Sequence, residues 1–470
     1  MQTQKDLYQA HRLMQQRLGM ALLQGEPDVP ESPMRRHNVG MFAGALVAVL
    51  ILAGFGIWGL IKPGNATKIT DAGQLIVETE TGATYVYSQQ QNRLLPVANY
   101  VSARLLLDSA DIKTLDVTSA SLEKYARGPV VGIAGAPDSL PAGNKLVRGP
   151  WSVCVTEGPD GAGGRKPYVT LVGGTPVGGT PVGGDGMVVD DGRQTWLLWA
   201  DTRMRVTADG VRMLNAQPRK VPAAWLNSIP EGRDFTGPPV PDRGKKIGGS
   251  GGRGAVTVGQ VFTVPEVAGA PARWYVMLSD GLAPITLTQA RLLLEDPATK
   301  KAYGKSPVLP VTIDAATANA SPSRQTISGG GLPATMPRMV SSPAAAPLCA
   351  VYADTAKGSM RARLTVGSTM TIPEPKAGGD PEHFDQVVFP PGGAAMAGLL
   401  PAEGQVGSIS NYYLVSEQGR RYALPSPDIL GKLGYDTSQV APLPPNILRL
   451  IPEGPALDPA VARSPLQVTR

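Results

Sequence analysis

Histidine and cysteine are scarce in this chain of 470 residues, which carries three of the first and two of the second. His11 and His37 precede the one long apolar run, so His383 alone accompanies the bulk of the chain. That excludes a histidine-rich metal centre there, and a Cys349/His383 or Ser/His383 nucleophile pair would have to be built in the loop-like stretch GGDPEHFD. Aromatics make up 5% of residues and the basic side chains are scattered, so a formal charge of +6 describes a solvated surface and no nucleic-acid stripe. The phosphate-wrapping order Gly, four residues, Gly-Lys-Ser/Thr is absent; GAGGRKP (161–167) and RGKKIGG (243–249) place glycine and lysine in the wrong order. Asp190-Asp191 and the group Asp380, Glu382, Asp385 lack calcium-loop spacing and read as solvated loops.

Charge is also missing from Val39 to Ile61. At ~1.5 Å per residue a helix over that run reaches roughly 34 Å, enough to cross a ~30 Å hydrocarbon core. Lys5, Arg12, Arg17, Arg35 and Arg36 crowd the N-terminal side while Lys62 and Lys68 follow it, which predicts a cytoplasmic N-terminus and an exported C-terminal part. A cleaved signal peptide is the rival reading, but GIWGLIK (56–62) offers no small-x-small cleavage site. Gly40, Gly44, Gly54, Gly56 and Gly59 suit close approach of a neighbouring helix.

Both cysteines, Cys154 and Cys349, fall in the exported part, where an oxidising compartment lets them pair; two buried thiols are the alternative. Closing that loop would contribute ~4 kcal/mol if unstrained. With 56 Gly and 45 Pro the chain resists long helices, so short strands and many turns, an α+β architecture, are expected.

The exported part repeats itself. TGATYVYSQQQNRLLPVANYVSARLLLDSA (81–110) answers to RWYVMLSDGLAPITLTQARLLLEDPA (273–298), with Tyr85, Val86, Tyr87 set against Trp274, Tyr275, Val276, and the pentapeptide ARLLL identical at 103–107 and 290–294. A second pair leads from RQTWLLWADTRMRV (193–206) and ISNYYLVSEQGRRYALPS (409–426) to an identical IPEG at 229–232 and 451–454, a tetrapeptide suited to closing a helix against a sheet, its glycine free to take positive φ. The cysteine surroundings echo as well, RGPVVGI and WSVCV against KSPVLPV and PLCAV. These matches predict a pseudo-twofold central β-containing domain with four small repeat domains. The expected order is a cytoplasmic segment 1–38, span 39–61, repeat 68–118, central part 119–185, repeat 186–240, Gly-rich linker 241–254, repeat 255–305, central part 306–405, repeat 406–460 and tail 461–470. GGTPVGGTPV (173–182) reads as a surface loop.

Ahead of the span, Leu7, Met14, Leu18, Ala21 and Leu22 recur at helical spacing, which predicts a short amphipathic helix ending near Gly25. Its stripe, Leu7, Met14, Leu18 and Leu22, is read as a docking face for a partner, with a lipid surface as the alternative.

Taken together, RLMQQRLGMALL (12–23), the single span ending in Lys62-Pro63-Gly64, TGATYVY, LLPVANYVSARLLL, two cysteines and paired IPEG tails resemble the EccB family, membrane-anchored core components of the actinobacterial type VII (ESX) secretion machinery. Leu13 stands where that family usually has an aromatic residue. The resemblance implies repeats similar to phage-lysin wall-binding modules, and assembly with an FtsK/SpoIIIE-like motor ATPase EccC, with EccD and with EccE. It implies a structural subunit of a self-oligomerising exported assembly. An extracytoplasmic ATPase using ATP, attributed to the family without a motif in this chain, is the runner-up, and a peptidoglycan-binding anchor the third reading.

Overall fold

The computed structural model of the chain describes residues 3–25, 33–61, 69–107, 112–248, 256–267, 269–327, 329–375 and 380–466. Helix α1, Gln4–Gln24, starts where the Asp6 carboxylate accepts from the Thr3 backbone N–H (3.1 Å) and stops at Gly25, whose φ of 73° and N–H to Ala21 carbonyl bond close the last turn. At 21 residues it is longer than the short helix the stripe suggested, because the Gln, Arg, Met and Leu between the stripe positions are themselves good helix formers. Helix α2, Pro33–Ile61, contains His37–Trp58, a stretch with mean hydropathy 2.3 that is long and apolar enough to cross a membrane.

Beyond the helices lie four small sheets of one topology. The first is built from Gln74–Glu78, Thr84–Ser88, Arg93–Pro96 and Lys113–Val117, the second from Met187–Asp190, Thr195–Trp199, Thr202–Arg205 and Arg219–Lys220. The third uses Val261–Val264, Arg273–Leu278, Gly281–Ile285 and Val311–Thr312, and the fourth Ala395–Leu399, Tyr412–Val415, Arg421–Leu424 and Ala441–Leu443. In each, three strands form an antiparallel meander and the last returns parallel beside the first. A parallel return needs a crossover, and a helix supplies it: Tyr100–Leu107, Ala208–Leu214, Leu287–Glu295 and Asp428–Lys432 in turn.

Several expectations shift in this light. The fourth sheet takes its first strand from residues assigned to the central part 306–405, and the third sheet ends beyond 305. Ala-Met-Ala-Gly-Leu and Val-Thr show no alternation, so only their pairing reveals them. Tyr85 lies opposite Pro96 and Tyr275 opposite Pro284, so Tyr85 answers to Tyr275 and not to Trp274. That one-residue slip matters because it exchanges the faces of the strand. RGPVVGI follows the last strand of the first sheet, with Val131 bridged to Val97, whereas KSPVLPV runs into the last strand of the third, so the two are not equivalent.

The IPEG tails do follow short helices, Ala223–Asn227 and Pro445–Leu448, but their work is at the sheet edge. Glu231 bridges Arg203 and Glu453 bridges Arg421, each adding a parallel rung beside the third strand. Neither glycine takes positive φ; a Cβ on Gly232 would lie 2.8 Å from the Thr202 hydroxyl, and one on Gly454 2.4 Å from the Tyr422 ring. The first sheet has the same rung at Leu94/Arg127 and the third at Leu282/Pro322.

The central sheet runs Gln386–Val388, Arg165–Gly173, Trp151–Pro159, Leu348–Tyr352, Arg363–Val366, Thr180–Pro181. Its middle pair is antiparallel with Cys154 directly opposite Cys349. Each half sends a third strand across to the other: Thr180–Pro181 borders the second half, and Gln386–Val388 the first. GGTPVGGTPV is therefore not a free surface loop. It lays down an edge strand with Val177 and Val182 buried, and Gly179 sits so close that a Cβ would meet the Gly367 carbonyl at 2.5 Å. Of the Gly-rich linker, residues 249–254 lie outside the described residues; just before and after, Lys246–Ile247 pairs with Val256–Thr257.

The second and fourth sheets share one core with the central sheet, uniting Trp151, Trp196, Trp225, Tyr352, Val415 and Ile451. The first sheet instead packs on the fourth, and the third on the second, and the duplicated ARLLL explains how. Ala103 and Ala290 turn towards their own sheets. Leu105 joins Leu414, Tyr422 and Leu433 of the fourth sheet's unit, while Leu292 joins Leu214 and Phe235 of the second's.

This packing makes a paired prediction. Gly454→Ala should cost about 2 kcal/mol or more in denaturant unfolding, because backbone and a buried ring must part. Gly431→Ala, in the Asp428–Lys432 helix with nothing within 4 Å of its Cβ, should be neutral or stabilise by about 0.5–1 kcal/mol.

Candidate functional site

Three features can carry function: the joint between the halves, the apolar face of α1, and the segments that resemble phosphate or metal sites. At the joint Cys154 and Cys349 are wholly buried and bonded, S–S 2.06 Å, with Val172, Val177, Met370, Ile372 and Val388 around them. Nearby, Trp225 donates its indole N–H to the Val153 carbonyl (3.0 Å). The Tyr352 hydroxyl donates to the Ser228 carbonyl and accepts from Asn446 Nδ2 (2.8 Å). Burial pushes this phenol's pKa up, so it stays a neutral donor. Ser228 belongs to the second unit, Tyr352 to the central sheet and Asn446 to the fourth unit, so one polar knot ties three units beside their shared core. Nothing in the sequence marks these three residues, since each is an isolated polar side chain whose role exists only through contact.

On α1, Leu7, Met14, Leu18 and Leu22 share a face and all are exposed, 59% in the case of Leu18. Tyr8 and Leu13, absent from the predicted stripe, are exposed as well. Such a row of uncovered apolar side chains is not what a helix presents to water at rest.

The phosphate-like segments are already engaged. GAGGRKP turns the hairpin between two central strands, and the Asp160 carboxylate accepts from the N–H groups of Ala162 and Gly164, both at 2.8 Å. Those bonds hold its pKa low, so an anion already occupies the amides that a phosphate would need. In RGKKIGG, Arg243 pairs with Asp296 and Thr299, and Lys246–Ile247 is a strand. Cys349 is bonded, and His383 Nδ1 instead faces the Asp380 carboxylate at 3.0 Å. Asp190 and Asp191 accept from the turn amides of Gly192, Arg193 and Gln194. Among the described residues no cluster of acids, His or Cys is arranged to hold a metal.

The strand aromatics occupy related places. Tyr85, Trp196, Tyr275 and Tyr413 stand two residues before the partner of the third-strand residue that makes the parallel rung, and all four lie on the face turned from the crossover helix. Arginines cover three of them: Arg127 over Tyr85, Arg203 over Trp196, Arg421 over Tyr413, with centroid distances of 5.5, 5.0 and 5.6 Å.

Comparison with known proteins adds to this geometry. The family described as type VII secretion system ESX-1, transport TM domain B, matches residues 1–467. The chain is similar to the ESX-5 secretion system ATPase EccB5 of Mycobacterium tuberculosis, 26% identical over 480 aligned positions covering 96% of this chain and 91% of that protein. It is similar to the ESX-3 secretion system ATPase EccB3 of Mycolicibacterium smegmatis, 26% identical over 452 positions covering 90% and 83%. Among solved structures it resembles a chain of an intact ESX-5 inner membrane complex, with TM-score 0.64, 24% identity and coverage of 100% and 96%. It also resembles a chain of the EccB3 dimer from the ESX-3 core complex, with TM-score 0.61, 24% identity and coverage of 83% and 99%.

The joint predicts that a non-reducing peptide map links Cys154 to Cys349. Replacing both by Ser should lower the unfolding free energy by about 4 kcal/mol while leaving the helix and strand content of the folded state unchanged. Two freely alkylated thiols in the folded chain would contradict the first part.

Proposed function

The chain belongs to the EccB family of type VII secretion systems, and from that premise we propose that it is a structural, membrane-anchored subunit of such a system's core. It crosses the membrane once through α2, with α1 in the cytoplasm and the sheets outside. The charge bias supports this orientation: five basic residues precede the span closely and two follow it. The exported body builds an oligomeric assembly, and α1 docks on a cytoplasmic component, of which the motor ATPase EccC, EccD and EccE are the family's expected partners.

The observation that carries the reading is the contrast between the two ends. In the sheet-bearing body the large apolar side chains are packed into shared cores and the halves are tied by the disulfide, whereas α1, 21 residues long, keeps its apolar row uncovered. No cofactor is needed for a role of this kind. The curated relatives carry ATPase in their names. ATP hydrolysis that survives repurification of this chain would support that second activity, and pelleting with peptidoglycan would support a wall anchor.

Burying Leu7, Met14, Leu18 and Leu22 would contribute on the order of 6 kcal/mol before ordering costs, ample for subunits confined to one membrane. Leu18→Asp is therefore expected to release the protein from the purified complex while it stays membrane-inserted with its disulfide intact. A complex recovered at full strength would assign assembly to the span or the exported body and leave the stripe facing lipid.

A further inference from the structure

The connection that returns the chain from the crossover helix to the last strand differs in length between units that otherwise share one topology. It takes five residues in the first unit, 108–112, four in the second, 215–218, and eight in the fourth, 433–440. In the third it takes fifteen, 296–310. Three units close their sheets without the added length, so the fold does not require it, and long connections in compact domains commonly carry function.

The inner side of this insertion is fixed. The Tyr303 hydroxyl accepts from the Val261 N–H (3.0 Å), Thr299 and Ala302 are buried, and Thr299 Oγ1 accepts from Arg243 Nη1 (3.1 Å). Arg243 also pairs with Asp296. These contacts lay the segment 243–246 on the insertion, so closely that a Cβ on Gly244 would meet the Lys301 Cβ at 3.2 Å.

The outer side gathers lysine. Lys300, Lys301 and Lys305 of the insertion and Lys245 and Lys246 beside it are all exposed. They stand apart in the sequence and meet only because 243–246 lies on 296–302. Asp296, the one acid within the two segments, is taken by Arg243, and among the described residues none of the five lysines is in an ion pair. Counting the flanking Asp242 and Glu295, six basic residues still stand against three acids. Directly after the lysines on the chain come two uncovered aliphatic side chains, Leu309, 61% exposed, and Val311, 38% exposed.

We propose that this face of the third unit is a docking surface for a partner protein, which it binds through a segment of that partner rich in Asp and Glu with aliphatic residues between them. Charge complementarity sets the sign of the partner. Lysines are flexible point charges without the planar fork of arginine, so five of them suit several carboxylates spread along a chain better than one small anion. Polyphosphate or nucleic acid would meet the lysines but leave Leu309 and Val311 uncovered, and the insertion's one aromatic ring, Tyr303, is buried and offers no base a platform. A lipid surface is opposed by the order of packing: the span leads into the first unit, which packs on the fourth, and the third lies beyond the central sheet on the second. The surface does not depend on the role assigned to α1.

The test uses the full chain in an uncharged detergent and a fluorescein-labelled peptide, Glu-Leu-Glu-Glu-Leu-Glu-Glu, followed by fluorescence anisotropy. Binding should be saturable and should weaken at least tenfold between about 50 and about 300 mM salt, as the screening length shortens. The triple variant Lys300→Gln/Lys301→Gln/Lys305→Gln should bind about tenfold more weakly, three exposed charge contacts being lost. Lys113→Gln/Lys145→Gln/Lys220→Gln makes the same change in net charge at exposed lysines elsewhere on the body and should bind like the parent chain. Both variants should unfold at the parent's temperature, since none of the six side chains enters a core. The peptide with Ser in place of Leu should bind more weakly than the original. Absence of saturable binding, equal weakening by the two triple variants, or equal binding of the Ser peptide, which is the behaviour of a plain polyanion site, would overturn the assignment. So would protection of the five lysines from acetylation when the chain is moved from phosphatidylcholine nanodiscs to phosphatidylglycerol ones, which would give the face to lipid.

Discussion

Two strands that are far apart in sequence, Trp151–Pro159 and Leu348–Tyr352, lie side by side at the middle of the molecule, and the placement of every other unit follows from that contact. Bringing them together closes a loop of 195 residues, whose entropy must be offset locally. Burial of Trp151 against Phe389, of Val153 and Tyr352, and of the disulfide itself meets that requirement in one short stretch. Since the pair is antiparallel with the cysteines directly opposed, the local twofold fixes the relation of the two halves. The exchange of third strands across it then leaves neither half with a complete sheet of its own.

The same twofold decides which small units meet. It carries the first onto the third and the second onto the fourth, so a contact between first and fourth demands one between third and second. Both exist, and both use Leu of an identical pentapeptide, Leu105 and Leu292. The symmetry stops at details: Gln386–Val388 joins its neighbour parallel, but Thr180–Pro181 joins its neighbour antiparallel. Arg104 donates to the Lys432 carbonyl, while Arg291 at the matching place is exposed. Duplicated units therefore keep the packing residues that the fold requires and diverge at the polar ones.

What could be read from the sequence tracks how local its cause is. The span, the cap at Gly25 and the ARLLL and IPEG repeats are written in adjacent residues, and they were legible. Register was not, because Tyr85 and Trp274 both sit in aromatic-rich strands and only the partner across the hairpin, Pro96 or Pro284, separates one face from the other. IPEG was visible as a repeat but not as a rung, and Tyr125-Ala-Arg-Gly and Ala320-Ser-Pro-Ser, which make the same rung with different residues, were invisible. The backbone bonds that define a rung are indifferent to side chains, so identity can vanish while geometry persists. The knot of Ser228, Tyr352 and Asn446 lay beyond reach for the opposite reason, being made of side chains from three units.

That indifference of the rung explains how one fold serves four surroundings. The backbone bonds hold the tail at a fixed distance from the sheet, and the residue two places earlier decides what fills the space beneath. Isoleucine there lets the second and fourth units lie flat on the central sheet, where an aromatic ring would hold them off. Tyr125 instead seals the first unit, whose corresponding face has no central sheet against it. An alanine at that place in the third unit satisfies the backbone equally well, and Ile247 and Val256 of the neighbouring two-stranded ribbon pack on the buried cluster of Met277, Leu282, Ile313 and Ala318 in its stead.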